Sequence, residues 1–170
     1  FFDSKGQKQY CGNGVYADAA IFSFHPVKHI TSGEGGMVTT NDPELYNKIL
    51  QLRTHGIIKD QKQLSKNDGG WYYEMKDLGY NYRLSEISSA LGLSQLGRAS
   101  ENLSIRRSIA SDYASSFESM EEVEFINTPT KGHAYHLAVI RAQNRKGLYE
   151  YLRTHNIYTQ VHYIPLHLQP

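Results

Sequence analysis

The sequence predicts an α/β fold, because short apolar runs typical of strands alternate with segments of helical pattern along its 170 residues. The first sixty residues show a strand, a glycine turn, a second strand and a capped helix. The second half shows a long helical stretch and then a strand–helix–strand pattern. Hydrophobic residues make up 39% of the chain and charged residues 21%, which is typical of a globular protein.

The first predicted elements are two strands around a turn. Residues 19–24, AAIFSF, are typical of a short buried strand. Gly33-Glu34-Gly35-Gly36 predicts a flexible turn, and residues 37–40 predict the strand that follows it.

A helix is predicted next. Asp42 is a good N-cap residue, Pro43 suits the first helical position, and Gly56 is a plausible stop. Residues 58–79 are polar and irregular, which predicts a long loop. A loop of this length in a compact domain is usually functional or mobile.

The second half predicts a smaller α/β unit. Residues 85–118 have a helical pattern too long for one ordinary helix, so we expect a break within them. Residues 134–140 predict a strand, Asn144 predicts the start of a helix, and residues 158–164 predict another strand.

Composition argues against several functional classes. The net charge is +1, from 18 basic and 17 acidic residues, so no nucleic-acid or membrane surface is expected. No apolar run approaches the roughly 18 residues of a membrane span. Cys11 is the single cysteine, so an intrachain disulfide is impossible and a cytoplasmic location is expected. We assign no metal ligands.

The residues that could carry chemistry surround Lys28. This lysine follows the first predicted strand, five residues after Ser23 and just before the glycine turn. An amine beside apolar strands is partly desolvated and can attack carbonyl groups to form a Schiff base. A serine hydroxyl and backbone N–H groups beside it could hold a phosphate. On this pattern alone, an ordinary surface lysine after a strand remains an alternative.

Three runs of sequence resemble one protein family. They are residues 23–42 (SFHPVKHITSGEGGMVTTND), 71–83 (WYYEMKDLGYNYR) and 161–170 (VHYIPLHLQP). The runs resemble segments of the DegT-type nucleotide-sugar aminotransferases, which are fold-type-I enzymes that use pyridoxal 5′-phosphate (PLP). Together they are similar to one subgroup, the UDP-4-amino-4,6-dideoxy-N-acetyl-β-L-altrosamine transaminases of pseudaminic acid synthesis.

The resemblance implies a role for three cofactor-binding residues. Lys28 matches the lysine that holds PLP as a Schiff base and later shuttles a proton. Ser23 matches a serine that hydrogen-bonds the PLP phosphate. Asn81 matches an asparagine that reaches the phosphate from the neighbouring subunit, which implies a homodimer with a shared active site.

Three further residues are expected to contact substrate. Arg83 matches a position that contacts substrate or holds its own loop through an ion pair, and both interpretations stay open. His162 and Tyr163 match positions near the nucleotide sugar, although a structural role for His162 is an equal alternative. Some relatives carry histidine in place of the lysine and perform dehydration. Because His29 is adjacent, a shifted alignment would change the conclusion, but the spacing from Ser23 supports Lys28.

The resemblance also implies a division of the chain. Residues 1–84 would be part of the PLP-binding large domain with its seven-stranded, mostly parallel sheet. Residues 85–119 would form the linking helical region, and residues 120–170 part of the C-terminal small domain. Family members are about twice as long, so we expect a fragment truncated at both ends that lacks the aspartate facing the PLP nitrogen.

The expected function is transfer of an amino group, from glutamate, to C4 of a UDP-linked 4-keto-6-deoxy-hexosamine. The alternatives are a PLP-dependent aminotransferase or dehydratase for another nucleotide-linked ketosugar, or a non-catalytic oligomerisation module. The complete protein is expected to be an enzyme, while PLP binding and activity of the piece stay open. An open sheet edge would favour dimerisation or exchange of elements between copies.

Overall fold

The chain forms two compact units in a computed structural model that describes residues 1–127 and 130–170. The first unit is Phe1–Leu103 and the second is Ser104–Pro170. The predicted α/β class is confirmed, whereas the three-part domain division stays a prediction. The first unit contains β1 (Ala19–Ser23), β2 (Gly36–Thr40), α1 (Pro43–Leu52), β3 (Ile57–Ile58), β4 (Glu74–Met75), α2 (Glu86–Gly97) and the start of α3 (Ala99–Phe117).

The first two strands form an antiparallel pair, as expected of neighbouring strands between which the chain reverses direction. Ala19 pairs with Thr40 at one end and Ser23 with Gly36 at the other. The predicted strands and turn are confirmed, but the expectation of a buried strand is wrong. The Ile21 side chain is 84% exposed, because no other element of the described chain covers that face of β1.

Helix α1 begins where its capping residues predict. The Asp42 carboxylate accepts hydrogen bonds from the backbone N–H groups of Glu44 (2.8 Å) and Leu45 (3.2 Å), and Pro43 is the first helical residue. These bonds satisfy donors that the helix itself leaves free. The helix ends at Leu52 with Arg53 as its C-cap, which is earlier than the predicted stop at Gly56.

Gly56 and Gly79 allow two backbone segments to cross at the end of α1. Gly56 has φ +70°, and a Cβ there would overlap the Asp77 carbonyl. A Cβ on Gly79 would lie 2.5 Å from the carbonyl carbon of His55 and 2.7 Å from the Leu52 oxygen. Both distances are too short for real contacts, so the crossing requires glycine on both segments.

Backbone hydrogen bonds join the crossing segments. The Tyr80 N–H donates to the Leu52 carbonyl (2.7 Å), and the Tyr82 N–H donates to the Arg53 carbonyl (2.9 Å). The segment that contains Asn81 is therefore attached to the end of α1 by main-chain bonds.

The predicted loop at residues 58–79 contains a short antiparallel ladder. Ile57 of β3 pairs with Met75, and Ile58 pairs with Glu74. Two residues per strand give almost no periodic signal, which is why the sequence pattern did not predict them.

The long helical stretch is broken at Arg98, as predicted. Arg98 has φ −102° and ψ 2°, and its N–H donates to the carbonyl of Gln95 at 3.1 Å. Helix α2 ends before this residue and α3 begins after it. Among the described residues, no helix is long and apolar enough to cross a membrane.

The second unit packs the rest of α3 against a small antiparallel sheet. Its core consists of the buried residues Ala110, Phe125 and Tyr135, with Phe117 and Ile140 packed around them. The further elements of this unit are β5 (Val123–Phe125), β6 (Ile140–Ala142), α4 (Arg145–Thr154) and one 3₁₀ turn (Leu166–Leu168). Helix α4 begins at the predicted cap, where Asn144 Oδ1 accepts a hydrogen bond from the Gly147 N–H at 3.0 Å.

The strand predicted at residues 134–140 is wrong except for its last residue, since β6 covers Ile140–Ala142. Arginine side chains bond to two carbonyl groups around the start of this stretch. Arg106 donates to the Tyr135 carbonyl (3.3 Å), and Arg107 donates to the His133 carbonyl (3.1 Å). Tyr135 also has φ +47°, which a strand does not adopt.

The strand predicted at residues 158–164 is also wrong. These residues are not helical or extended in a ladder, and no strand of the described chain pairs with them. An isolated apolar run gains nothing from strand geometry without cross-strand neighbours.

The mostly parallel sheet implied by the resemblance is not seen in the residues that the structure describes. Each of its three strand pairs is antiparallel, and each forms a separate two-stranded sheet. The fold class stands, but the strands described here pair locally, with β1 and β2 joined by one reversing loop.

The glycine crossing predicts a specific loss of stability. We expect Gly79→Ala to lower the free energy of unfolding by about 1–3 kcal/mol, because the new methyl group must displace backbone. Gly97→Ala is the matched control, since a Cβ there meets nothing within 4 Å and the residue ends α2. Urea unfolding of both variants measures the effect. Equal urea midpoints for Gly79→Ala and Gly97→Ala would contradict the close approach of backbone at Gly79.

Candidate cofactor site

Lys28 lies in a loop that the carbonyl group of Phe24 closes. The loop joins β1 to β2, and its outer end is tied by a hydrogen bond from the Phe24 N–H to the Gly35 carbonyl at 2.9 Å. The Phe24 carbonyl in turn accepts two hydrogen bonds, from the Ser32 N–H (3.0 Å) and from Thr31 Oγ1 (3.1 Å). The chain therefore forms a smaller closed loop from Phe24 to Ser32, with Lys28 at its midpoint.

The Lys28 side chain is half-buried and has no polar partner. Its backbone N–H closes a turn by donating to the His25 carbonyl at 2.9 Å. Across residues 1–127 and 130–170, no hydrogen bond or ion pair involves its Nζ atom. An amine held in this way is available to a ligand rather than committed to the fold.

Ser23 is the last residue of β1, at the entrance of the same loop. Its side chain is exposed, and its hydroxyl oxygen lies 3.5 Å from the His25 N–H, which is long for a hydrogen bond. The hydroxyl group therefore keeps most of its hydrogen-bonding capacity. The structure places this hydroxyl and the Lys28 amine on one short stretch of chain, as the sequence predicted.

The glycine turn is anchored by a buried serine. Ser32 is 2% exposed, and its hydroxyl donates to the Glu34 carbonyl at 2.8 Å. Gly35 has φ +153°, and a Cβ there would lie 2.5 Å from Ser32 Oγ and 2.7 Å from Leu84 Cδ1. The turn is thus a close-packed structure and not the flexible one expected from its glycine content.

Residues that follow the second family-like run pack on this turn. Leu84 comes directly after Arg83, the last residue of that run, and its side chain reaches Gly35. Helix α2 contributes Gly92, where a Cβ would lie 3.5 Å from Ser32 Cβ. The chain just after the second run therefore contacts the glycine turn of the first run.

Asn81 and Arg83 are both exposed next to this contact. Asn81 forms an isolated antiparallel bridge with Thr54, and the rings of its neighbours Tyr80 and Tyr82 stack with centroids 4.8 Å apart. In the described part of the chain, no ion pair involves Arg83. The alternative of an ion pair within its own turn thus finds no support, and the substrate role stays a prediction.

His162 and Tyr163 belong to the second unit. Both side chains are exposed, Tyr163 at 72%, and their ring centroids lie 3.6 Å apart. Within the described residues neither ring makes a hydrogen bond, so the structure gives no support to a structural role for His162.

Glu74 is a further residue of interest that sequence reasoning missed. Its Oε1 atom accepts hydrogen bonds from the Ser65 N–H (2.8 Å), the Ser65 hydroxyl and the Tyr72 hydroxyl (2.9 Å). Its Oε2 atom forms an ion pair with Lys76. These contacts, with Lys76 first and Ser65 second, lower the pKa of Glu74 to about 2. One carboxylate thus ties the polar loop to β4.

Asp77 plays a similar part at the glycine crossing. Its carboxylate accepts hydrogen bonds from Lys48 Nζ (2.7 Å) and Gln51 Nε2 (2.8 Å), and the Lys48 contact lowers its pKa. Gln51 Nε2 also donates to the Gly56 carbonyl at 3.2 Å. These partners are distant in sequence and follow no local pattern, so the sequence alone could not reveal the network.

The fold is shared with solved aminotransferases. PseC of Helicobacter pylori, described as an aminotransferase involved in the biosynthesis of pseudoaminic acid, superposes with a TM-score of 0.77 at 37% identity. The match covers 92% of this chain and 42% of that one. Spr1654 of Streptococcus pneumoniae, solved in its PLP form, superposes with a TM-score of 0.75 at 29% identity, over 92% of this chain and 41% of its own.

The sequence comparison identifies the family. The profile of the DegT/DnrJ/EryC1/StrS aminotransferase family matches residues 4–170, so the chain belongs to that family. Aminotransferases of this family use PLP. The UDP-4-amino-4,6-dideoxy-N-acetyl-β-L-altrosamine transaminase of Campylobacter jejuni serotype O:23/36 is 41% identical over 158 residues, which are 89% of this chain and 40% of that protein. The chain thus spans about two fifths of the length of such relatives.

The low pKa of Glu74 predicts how the polar loop responds to acid. Its folded pKa of about 2 lies below the ordinary value of 4.5, so its contribution to stability is complete above about pH 4.5. That contribution falls with pH and is lost near pH 2. The protection factor of the Ser65 amide, which compares its exchange rate with that of an unstructured amide at the same pH, should therefore fall over this window in the wild type.

Glu74→Gln is the test of this assignment. The amide side chain cannot ionise, so the protection factor of the Ser65 amide should already be lower at pH 6 and should vary less between pH 5 and pH 2. Asp42→Asn, at the α1 cap, is the control for a carboxylate outside the loop. A wild-type loop with no pH dependence in this window would contradict the role of Glu74.

Proposed function

We propose that the complete protein is a PLP-dependent sugar aminotransferase in which Lys28 binds the cofactor covalently. The observation that carries the proposal is the closed loop that holds Lys28, half-buried and without a polar partner, at its midpoint. Family membership supports it independently, because residues 4–170 match a family of PLP enzymes.

The residues of the loop fit the cofactor chemically. An aldehyde needs a free amine, which Lys28 offers, and a phosphate needs hydrogen-bond donors, of which the Ser23 hydroxyl is one. The close packing of Ser32, Gly35 and Leu84 holds the loop backbone in place beside these groups. We therefore assign Lys28 and Ser23 to cofactor binding.

The proposed roles follow from these positions. When bound, PLP supplies an electron sink at its ring and a carbon that carries the transferred amino group. Lys28 would hold the cofactor covalently, and its Nζ atom would move a proton to and from the reacting carbon.

We further propose that Asn81 binds the cofactor phosphate from a neighbouring subunit, so that the working protein is a homodimer. Its exposure and its rigid attachment to the end of α1 support a role outside its own unit. Arg83, His162 and Tyr163 are the proposed contacts to the nucleotide sugar. The exposed Cys11, without a disulfide, supports the proposed cytoplasmic location.

The proposed substrate is a UDP-linked 4-keto-6-deoxy-hexosamine, with glutamate as the amino donor. The support is the name of the Campylobacter relative, together with the similarity of all three family-like runs. An aminotransferase or dehydratase for another nucleotide-linked ketosugar, and a non-catalytic oligomerisation module, are the outcomes against which this proposal is tested.

The proposal predicts selective labelling of Lys28. With added PLP the chain should develop an absorbance band that borohydride abolishes, and peptide mass mapping should find the phosphopyridoxyl group on Lys28. Lys28→Arg should remove both signals. Lys62→Arg, at an exposed lysine of the polar loop, should remove neither.

Adding ¹⁵N-glutamate with a UDP-linked or a GDP-linked 4-keto-6-deoxy sugar then separates the enzyme hypotheses. Mass spectrometry should find ¹⁵N in the UDP sugar. Labelling of the GDP sugar alone, or loss of water without labelling, would replace the substrate assignment. Absence of any selective label on Lys28 would contradict the cofactor assignment itself.

A further inference from the structure

We propose that Thr31 is a positioning residue for Lys28, because its hydroxyl group closes the loop that holds the lysine. This inference rests on the proposed function, in which Lys28 binds the cofactor. Thr31 does not contact the Lys28 side chain. Thr31 would act through the backbone on both sides of Lys28.

The hydroxyl group of Thr31 makes two hydrogen bonds at once. It donates to the Phe24 carbonyl at 3.1 Å and accepts from the Gly33 N–H at 3.0 Å. The first bond joins the two ends of the lysine loop. The second fixes the start of the glycine turn. A single side chain thus connects the strand before Lys28 to the turn after it.

Neighbouring groups make this closure rigid. The Ser32 N–H donates to the same Phe24 carbonyl at 3.0 Å, and the Ser32 side chain is almost fully buried. Thr31 is half-buried, so its bonds are partly shielded from water. Hydrogen bonds shielded in this way are stronger than exposed ones, and groups left unpaired there are costly.

The closure affects Lys28 through the freedom of the loop. Without the inner hydrogen bonds, the lysine would lie on the longer segment between Phe24 and Gly35, which the Phe24 N–H closes by donating to the Gly35 carbonyl. With them, it lies on the shorter segment between Phe24 and Ser32. A shorter closed segment samples fewer conformations, so the amine loses less entropy when it binds.

Another contact across the loop is a weaker candidate for this role. His25 Nε2 and Glu34 Oε1 lie 3.9 Å apart, with side chains 50% and 80% exposed. An exposed pair at that distance holds the loop little. The Thr31 bonds are shorter and more buried, so they define the loop.

The test compares the labelling of two lysines in the intact chain. Each amine condenses with the PLP aldehyde, releasing one water, and borohydride delivers a hydride to the C=N carbon to give a stable secondary amine. Mass mapping then gives the ratio of label on Lys28 to label on Lys62. Because every exposed lysine reacts to some extent, the ratio is measurable in each variant.

We expect Thr31→Val to lower this ratio by roughly fivefold, because two hydrogen bonds are lost at nearly constant side-chain size. Thr31→Ser keeps the hydroxyl and should restore most of the ratio. Thr40→Val is the matched control, since that hydroxyl donates to the Asp18 carbonyl (2.6 Å) at the far end of the strand pair. Because a general loss of stability would also follow the hydroxyl, the ratio is compared only between variants whose folding is intact.

Folding is checked separately, by hydrogen exchange of the β1–β2 amides. If Thr31→Val loses this protection, Thr31→Ala, which removes the same hydroxyl from a smaller side chain, replaces it in the comparison with Thr31→Ser.

The outcomes separate the two proposals. Preferential labelling of Lys28 in the wild type that Thr31→Val leaves unchanged would overturn the role of Thr31 alone. A Thr31→Ser variant whose labelling ratio is as low as that of a folded Thr31→Val variant would also overturn the role of Thr31. No preference for Lys28 in the wild type would overturn the cofactor assignment, and this inference with it.

Discussion

The carbonyl group of Phe24 is the acceptor on which the geometry of the site depends. It sits at the end of β1 and binds the Ser32 N–H and the Thr31 hydroxyl, which turns a long connection into a closed loop. The glycine turn then packs against Leu84, at the end of the Asn81–Arg83 segment. The closed loop around Lys28 and the residue that follows the second family-like run thus meet at the glycine turn.

The apolar surface of the chain is mostly uncovered. Among the described residues, only Ala110, Phe125 and Tyr135 are buried apolar side chains, whereas Ile87 and Leu78 are 85% and 87% exposed. Large exposed apolar patches mark surfaces that other protein normally covers. This agrees with a chain that spans about two fifths of the length of its relatives.

Local signals in the sequence predicted the elements that depend on local chemistry. Asp42 and Asn144 predicted the starts of α1 and α4, because a capping side chain bonds its own helix. Strand predictions failed where contacts distant in sequence decide. Tyr135 adopts φ +47° and its carbonyl accepts a hydrogen bond from Arg106, and residues 158–164 have no strand partner in the described chain. The contacts of Glu74 could not be predicted, because hydrogen bonds between residues distant along an irregular loop follow no period.

The central claim is that the Lys28 loop is a cofactor site completed by the segment around Asn81. Two-dimensional NMR of the ¹⁵N-labelled chain during titration with PLP tests it most directly. The account predicts saturable shifts of the amides of Ser23, Lys28 and Asn81, with those of α4 unchanged. Shifts spread over exposed lysines without saturation, or none in the Ser23–Ser32 stretch, would contradict it.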